Sequence, residues 1–128
     1  LRNEALYYRA KAYTKQKAGK KAMEDYRELA KDTRNPYGAE AKYQVAQSLY
    51  DAKEYAAAEK ELLNYIEQST PHAYWLARSF VLLSDVYHAT GKDLDARQYL
   101  LSLQQNYQGN DDIESMIESR LSKLKVEN

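Results

Sequence analysis

The side chains that most often carry out chemistry in proteins are sparse in this sequence. The two histidines, His72 and His88, stand about four helical turns apart if they share one helix, which is too far for a common metal ion. The chain has no cysteine, which excludes disulfides, thiolate catalysis and cysteine-ligated zinc. Carboxylates are abundant, but none stands in an apolar setting that would raise its pKa for acid or base catalysis. No phosphate-binding glycine loop or nucleophile motif is present. The sequence therefore predicts no enzyme activity, no metal site and no cofactor.

A basic cluster is the feature that best suits nucleic acid. The segment KQKAGKK, residues 15–21, has four lysines and lies within a first third, 1–35, that carries ten basic and five acidic residues. A basic cluster in a turn is ordinarily exposed to solvent without a partner. If it does bind a partner, an acidic protein and RNA are the two alternatives. No aromatic residues interleave it as a stacking platform for bases requires. Over the whole chain 19 basic residues balance 19 acidic ones. Nucleic acid is therefore not expected to be the partner.

Length and composition indicate one helical domain. At 128 residues the chain suits a single compact domain over 1–128 with a substantial core. Only four glycines and two prolines occur, and helix formers abound, which favours an all-α fold. No apolar run approaches the roughly 20 residues that a membrane span requires. The chain begins at Leu1 without a methionine or a signal segment, so we expect it to be part of a longer protein.

An internal repeat organises these helices. The segments EALYYRAKAY (residues 4–13) and EAKYQVAQSL (40–49) share the pattern Glu-Ala-x-Tyr-x-x-Ala at a separation of 36 residues. A degenerate third copy, RSFVLLSDVY (78–87), follows 38 residues later. Each copy contributes a small residue, a second small residue twelve positions on and a bulky apolar residue four positions beyond that. Small residues in register let two helices approach closely, so each unit is predicted to be a helix hairpin. The three sets are Ala10, Ala22 and Tyr26; Ala46, Ala58 and Leu62; and Ser84, Ala96 and Leu100.

Turns within the hairpins follow from the alignment of the units. Residues 41–68 contain neither glycine nor proline and would suit one long helix if read alone. The alignment instead predicts two helices with a tight turn near 52–54. The equivalent segments, 14–20 and 88–94, contain Gly19 and Gly91, which suit the left-handed residue that ends many helices.

Connections between the hairpins carry helix-start signals. Asn35-Pro36 and Thr70-Pro71 each place a capping side chain before a proline suited to the first helical position. The segment GNDDIE, residues 109–114, offers a helix stop followed by a cap of the capping-box type. Seven helices are therefore predicted, at about 3–17, 20–33, 36–52, 55–68, 71–89, 92–107 and 111–125.

With these spacings the sequence resembles the tetratricopeptide repeat (TPR) family over about residues 3–107. The resemblance implies a right-handed superhelical stack of three TPR-like hairpins, at about 3–35, 36–70 and 71–108, plus a C-terminal capping helix at 111–125. Lys42 departs from the family pattern, which has a tryptophan-like residue there. Units longer than the family's usual length of about 34 residues, entered through proline, are similar to TPR proteins of the bacterial cell envelope. That similarity would place the protein in the periplasm or at the outer membrane of a Gram-negative bacterium, and the cytoplasm is the alternative.

The resemblance also implies a binding surface. In the family the first helix of each pair lines a concave face that binds peptides or helices of partner proteins. Tyrosine suits such a face, because a rigid ring with a polar tip binds apolar and hydrogen-bonding groups at modest entropic cost. For Tyr43 an inward orientation is the alternative, in which its ring replaces the apolar residue missing at Lys42. The residues carried over as partner-binding are Tyr7, Lys11, Tyr43, Gln47, Tyr50, Arg78, Asp85 and His88, with Glu4, Thr14, Glu40 and Val81 on the same stripes.

Two functions stay open at this stage. The first is a non-catalytic scaffold that holds a peptide or helix of another protein, with the basic first unit favouring acidic partners. The alternative is a self-association or spacer module within a larger envelope protein, with homo-oligomers and no peptide in the groove. The final helix, with Ile113, Met116 and Ile117 on one stripe, either shields the last hairpin or docks a partner.

Overall fold

The computed structural model describes residues 2–68 and 71–124 and is all-helical. The prediction of seven helices is confirmed for these residues, which contain no strands, and the boundaries differ from the predicted ones by only a few positions. The helices are α1 (Arg2–Lys15), α2 (Gly19–Leu29), α3 (Pro36–Asp51), α4 (Tyr55–Glu67), α5 (Ala73–Ala89), α6 (Asp93–Asn106) and α7 (Ile113–Leu121). None of the helices in the described segments is both long enough and apolar enough to cross a membrane.

Consecutive helices pack against one another in a repeating pattern. Within pairs, α1 packs on α2, α3 on α4 and α5 on α6; between pairs, α2 packs on α3 and α4 on α5. The first helices also contact each other, α1 with α3 and α3 with α5. The last helix, α7, contacts both α5 and α6, just as α5 contacts both α3 and α4. The arrangement is that of a repeat-like helical fold.

The three turns within the pairs share one backbone geometry. Lys17, Lys53 and Gly91 have φ values of 59°, 62° and 78° and lie at equivalent positions of the repeat. In each turn the next amide donates to the carbonyl five positions earlier, over 2.8 to 2.9 Å, which is the Schellman motif. The predicted turn at 52–54 and the left-handed Gly91 are confirmed. The expectation for Gly19 is wrong: it begins α2, and the register of the repeat assigns the left-handed position to Lys17.

The start of α3 follows its sequence signal. The Asn35 side chain accepts a hydrogen bond of 2.9 Å from the amide of Tyr37, and Pro36 is the first helical residue, as predicted. One turn into the helix, a Cβ on Gly38 would lie only 1.8 Å from the carbonyl oxygen of Asp32. Glycine is therefore required here because the backbone of α3 passes directly over the end of α2.

Two other predicted helix starts are wrong. Pro71 does not begin α5, which starts at Ala73; Thr70, the predicted cap, lies outside the described residues. The His72 backbone, with φ −91° and ψ 81°, is not helical, and its Nε2 atom lies 2.7 Å from the carbonyl oxygen of Arg34 in the α2–α3 connection.

At α7 the predicted capping box is likewise replaced. The helix begins at Ile113, after Asp112, and the carboxylate of Asp111 accepts from the Ile113 amide over 3.0 Å. Asp111 thus closes a local turn two residues before the helix instead of capping it. The helix ends at Leu121, and the predicted end at 125 lies outside the described residues.

The core contains the residues that the repeat singled out. Every small residue of the three sets is at most 4 % exposed, and the bulky residue that follows each set is buried as well. One hydrophobic cluster runs from α1 to α6, and a second joins α5, α6 and α7. The predicted burial of the small residues is therefore confirmed, as close approach of two paired helices requires.

Candidate partner-binding face

The residues predicted to bind a partner come from three helices that lie side by side. Because α1 contacts α3 and α3 contacts α5, their side chains meet across two helix–helix contacts. Most of them are half-buried, His88 is exposed and Tyr43 is buried. We define the first-helix face by the eight predicted residues, Tyr7, Lys11, Tyr43, Gln47, Tyr50, Arg78, Asp85 and His88.

Glu40 links the α1 part of this face to α3. The Tyr7 hydroxyl donates to Glu40 over 2.9 Å, and the Lys11 ammonium lies 2.9 Å from the other Glu40 oxygen and 5.1 Å from the centre of the Tyr7 ring. Burial and the bond to Glu40 raise the pKa of Tyr7. Burial lowers the pKa of Lys11, but hydrogen bonds to Glu40 and Tyr7 outweigh it and leave the pKa above its usual value. Lys11 is therefore charged and held in place by Glu40.

Arg78 links α5 to α3 through aromatic rings. Its guanidinium donates to the hydroxyls of Tyr43 and Tyr74, each over 3.0 Å. The guanidinium carbon lies 4.8 Å from the centre of the Tyr43 ring and 5.8 Å from that of Trp75, whose ring centre is 5.5 Å from that of Tyr43. Cation–π attraction and hydrogen bonds thus act on the same arginine. Trp75 is the only tryptophan of the chain.

Two members of the predicted stripes face the core. Tyr43 is 5 % exposed, so the inward orientation considered for it is confirmed; its hydroxyl donates to Gln47 over 2.9 Å and accepts from Arg78. Lys42 forms an ion pair with Glu61 of α4 over 2.7 Å, and the neighbouring Tyr43 fills the core position instead. Val81 is 2 % exposed, so its expected place on the binding surface is wrong.

The middle of the face offers accessible polar and aromatic groups. The Gln47 side-chain amide donates to Asp51 over 2.9 Å, and the half-buried Tyr50 ring centre lies 5.6 Å from that of Tyr55. Burial raises the pKa of Tyr50, and the nearby Asp85 carboxylate adds to the rise. The Tyr50 hydroxyl therefore stays protonated over the physiological range and is able to donate to a ligand.

Arg120 extends the face onto α7, although it was not among the predicted residues. Its guanidinium donates to both oxygens of Asp85, over 3.2 and 3.3 Å. The sequence signal was its position 36 residues after Ser84, where a small residue would continue the repeat. His88 lies at the far end of α5, with Nδ1 at 2.8 Å from an Asp93 oxygen, beside the α5–α6 turn.

Within residues 2–68 and 71–124, no group of three or more histidine, aspartate or glutamate side chains is arranged to hold a metal ion. Neither a scan of protein-family models nor a search of curated proteins finds a match to this chain.

Proposed function

We propose that this chain is a non-catalytic scaffold that binds a peptide or a helix of another protein on the first-helix face. The supporting observation is a series of links between successive first helices: Glu40 joins α1 to α3, Arg78 joins α3 to α5, and Arg120 joins α5 to α7. These contacts order the polar side chains before a partner arrives. A pre-ordered surface loses less conformational entropy on binding, which favours affinity.

We further propose that the helix pairs form a right-handed superhelical stack of TPR type, with the first-helix face on its concave side. The repeated Schellman turns, the buried small residues and the contacts between successive first helices support this proposal. Stacked hairpins bury a continuous core and leave an extended curved surface, which suits an extended peptide or a single helix.

The middle of the face is the best place to test the scaffold function. A photo-crosslinking amino acid at Tyr50 samples the centre of the face, and one at Lys60, an exposed position of α4, is the matched control. Both proteins are irradiated in a lysate of the source cell, and adducts are identified by mass spectrometry. We expect a distinct partner at Tyr50 that is not captured at Lys60.

The captured partner is then produced and its affinity measured by fluorescence anisotropy. Because a central aromatic residue contributes strongly to many interfaces, Tyr50→Ala is expected to weaken binding about tenfold, whereas Lys60→Ala leaves it unchanged. Equal capture at both positions, capture of the protein's own copies only, or equal affinities of the two variants would refute the proposal.

A further inference from the structure

The outer side of α1 is exposed although its residues are largely apolar. Helical periodicity places Ala5, Tyr8 and Ala12 on one side of α1, and all three are exposed. Tyr8 is 59 % exposed and is one of two large hydrophobic residues that are strongly exposed within the described ranges. We call the surface formed by Ala5, Tyr8, Arg9 and Ala12 the outer α1 face; it lies on a different side of the helix from Tyr7 and Lys11.

The repeat shows what covers the equivalent surface elsewhere in the molecule. The separations of 36 and 38 residues relate the outer α1 face to four positions of α5. All four are at most 2 % exposed, and three of them belong to the cluster that contains residues of α2, α3 and α4. In α5 this surface is covered by the preceding pair, through the packing of α4 on α5. The four α5 residues are Ser79, Leu82, Leu83 and Val86.

The same burial occurs in α3, at the positions equivalent to Ala5 and Arg9. Ala41 is fully buried and Val45 is 1 % exposed, and α3 packs on the preceding helix α2. The other two equivalent positions, Gln44 and Ser48, are half-buried and exposed, so a preceding second helix covers all of this surface in α5 and one edge of it in α3. Its geometry on α1 suits a helix as well.

Charge determines which kind of helix fits. Lys15 borders the outer α1 face on one edge; Arg9, at the other edge, is already paired with Asp25 of α2 over 2.7 Å. The exposed lysines at 15, 17, 20 and 21 take part in none of the ion pairs found in the described residues, and Lys20 and Lys21 lie in the first turn of α2, where the helix dipole is positive. A second copy of the chain would bring these cations together, which is unfavourable. An acidic helix would neutralise them.

We propose that the outer α1 face binds an acidic amphipathic helix, seated against α1 as α4 is seated against α5. Its small and aromatic residues would cover Ala5, Tyr8 and Ala12, and its carboxylates would meet the lysines of the α1–α2 turn. This surface adjoins the first-helix face where the Tyr8 ring touches the Tyr7 ring, with ring centres 5.2 Å apart, so substitutions at Ala12 and Tyr50 are used to test the two sites separately.

A peptide copy of residues 54–67 is the probe, because α4 covers the equivalent surface and the segment has four glutamates and one lysine. The labelled peptide is titrated with the protein and followed by fluorescence anisotropy. We expect saturable binding that weakens as salt is added. A control peptide with lysine in place of Glu54, Glu59 and Glu67 is expected to bind at least about tenfold more weakly, a difference of about 1.4 kcal/mol.

Two matched variants locate the site. Ala12→Glu places bulk and negative charge on the outer α1 face, while Ala57→Glu makes the same change at an exposed position of α4. We expect the first to weaken binding at least about tenfold and the second to leave it unchanged, with NMR shifts on peptide addition concentrated in α1. If Ala12→Glu alters the circular dichroism spectrum, Tyr8→Ala takes its place, since that side chain is mostly exposed.

The proposal is overturned by any of four results. The first is no binding at millimolar peptide, and the second is equal affinity for the original and the charge-reversed peptide. The third is equal weakening of binding by Ala12→Glu and Ala57→Glu, which would indicate that the peptide displaces α4. The fourth is a concentration-dependent dimer that Ala12→Glu abolishes, which would make a second copy the occupant. Loss of peptide binding with intact capture at Tyr50 would leave the scaffold function standing, because Tyr50 belongs to α3 and not to the outer α1 face.

Discussion

Replacing two glycines by alanine is predicted to change stability in opposite directions. Gly91 and Gly19 both have open space where a Cβ would be added, so neither substitution creates a clash. They differ in backbone conformation: Gly91 has a φ of 78° in the α5–α6 turn, whereas Gly19 is the first residue of α2 without a positive φ. Any difference between the variants therefore measures the backbone conformation alone.

The magnitude follows from two opposing contributions. The left-handed conformation costs a residue with a Cβ about 1–2 kcal/mol, and the loss of glycine's freedom in the unfolded chain returns about 0.4–1 kcal/mol. We expect Gly91→Ala to lower the free energy of unfolding by about 1 kcal/mol and Gly19→Ala to raise it by about 0.5 kcal/mol. Lys53 has a side chain in the left-handed conformation, and Lys53→Gly removes the conformational cost of that side chain. The substitution is therefore expected to raise the free energy of unfolding by about 0.5 kcal/mol.

Urea denaturation followed by far-ultraviolet circular dichroism measures these differences. The midpoint should shift while the dependence on urea stays constant, because the surface exposed on unfolding does not change. In thermal melts a loss of 1 kcal/mol corresponds to about 3–5 °C for a domain of this size. If Gly91→Ala stabilised the protein as Gly19→Ala does, or if Lys53→Gly destabilised it, the left-handed geometry of these turns would be refuted.

Three further predictions concern packing and protonation. Gly38→Ala is expected to destabilise the fold by about 3 kcal/mol or more, because its Cβ would clash with the rigid carbonyl of Asp32; denaturation curves that match those of the unaltered protein would contradict this. Leu83→Ala, in the fully buried core, is expected to cost about 2–5 kcal/mol in the same assay. Burial, followed by the hydrogen bond to Asp111, raises the pKa of Tyr107 to about 12. Because the pKa of Tyr107 is higher in the folded than in the unfolded state, the stability that its protonated form contributes is fully present below pH 10 and is lost as the pH rises through 12. NMR titration of the tyrosine rings should show the high pKa of Tyr107 and a lower pKa in Asp111→Ala.

The helices and their pairing were predictable from the sequence because they depend on local and periodic signals. The spacing of Ala10, Ala46 and Ser84 reveals the units, and the same spacing places a turn within residues 41–68, which contain no glycine or proline. Asn35-Pro36 begins a helix as the capping rule requires, since both its signals act within three residues. Such features need no knowledge of distant neighbours.

The details of the face were less predictable because they depend on contacts between distant residues. Tyr43 turns inward while Lys42 pairs with Glu61 on another helix, and the sequence left both orientations of this tyrosine open. Arg120 reaches Asp85 only because α7 packs beside α5. His72 likewise contacts the carbonyl oxygen of Arg34, 38 positions earlier, and α5 begins only after it, at Ala73.

Trp75 gives the molecule an intrinsic optical probe of one helix–helix contact. As the only tryptophan, 5.5 Å from the ring of Tyr43 across α3 and α5, it reports by its emission on the junction between the second and third pairs. Circular dichroism reports on all seven helices together. In a repeat-like fold, stability is nearly a sum over units and their neighbours, so the two signals need not change together. Coincident transitions would show that the pairs unfold as one cooperative unit, whereas an earlier change in emission would identify the α3–α5 junction as the first to open.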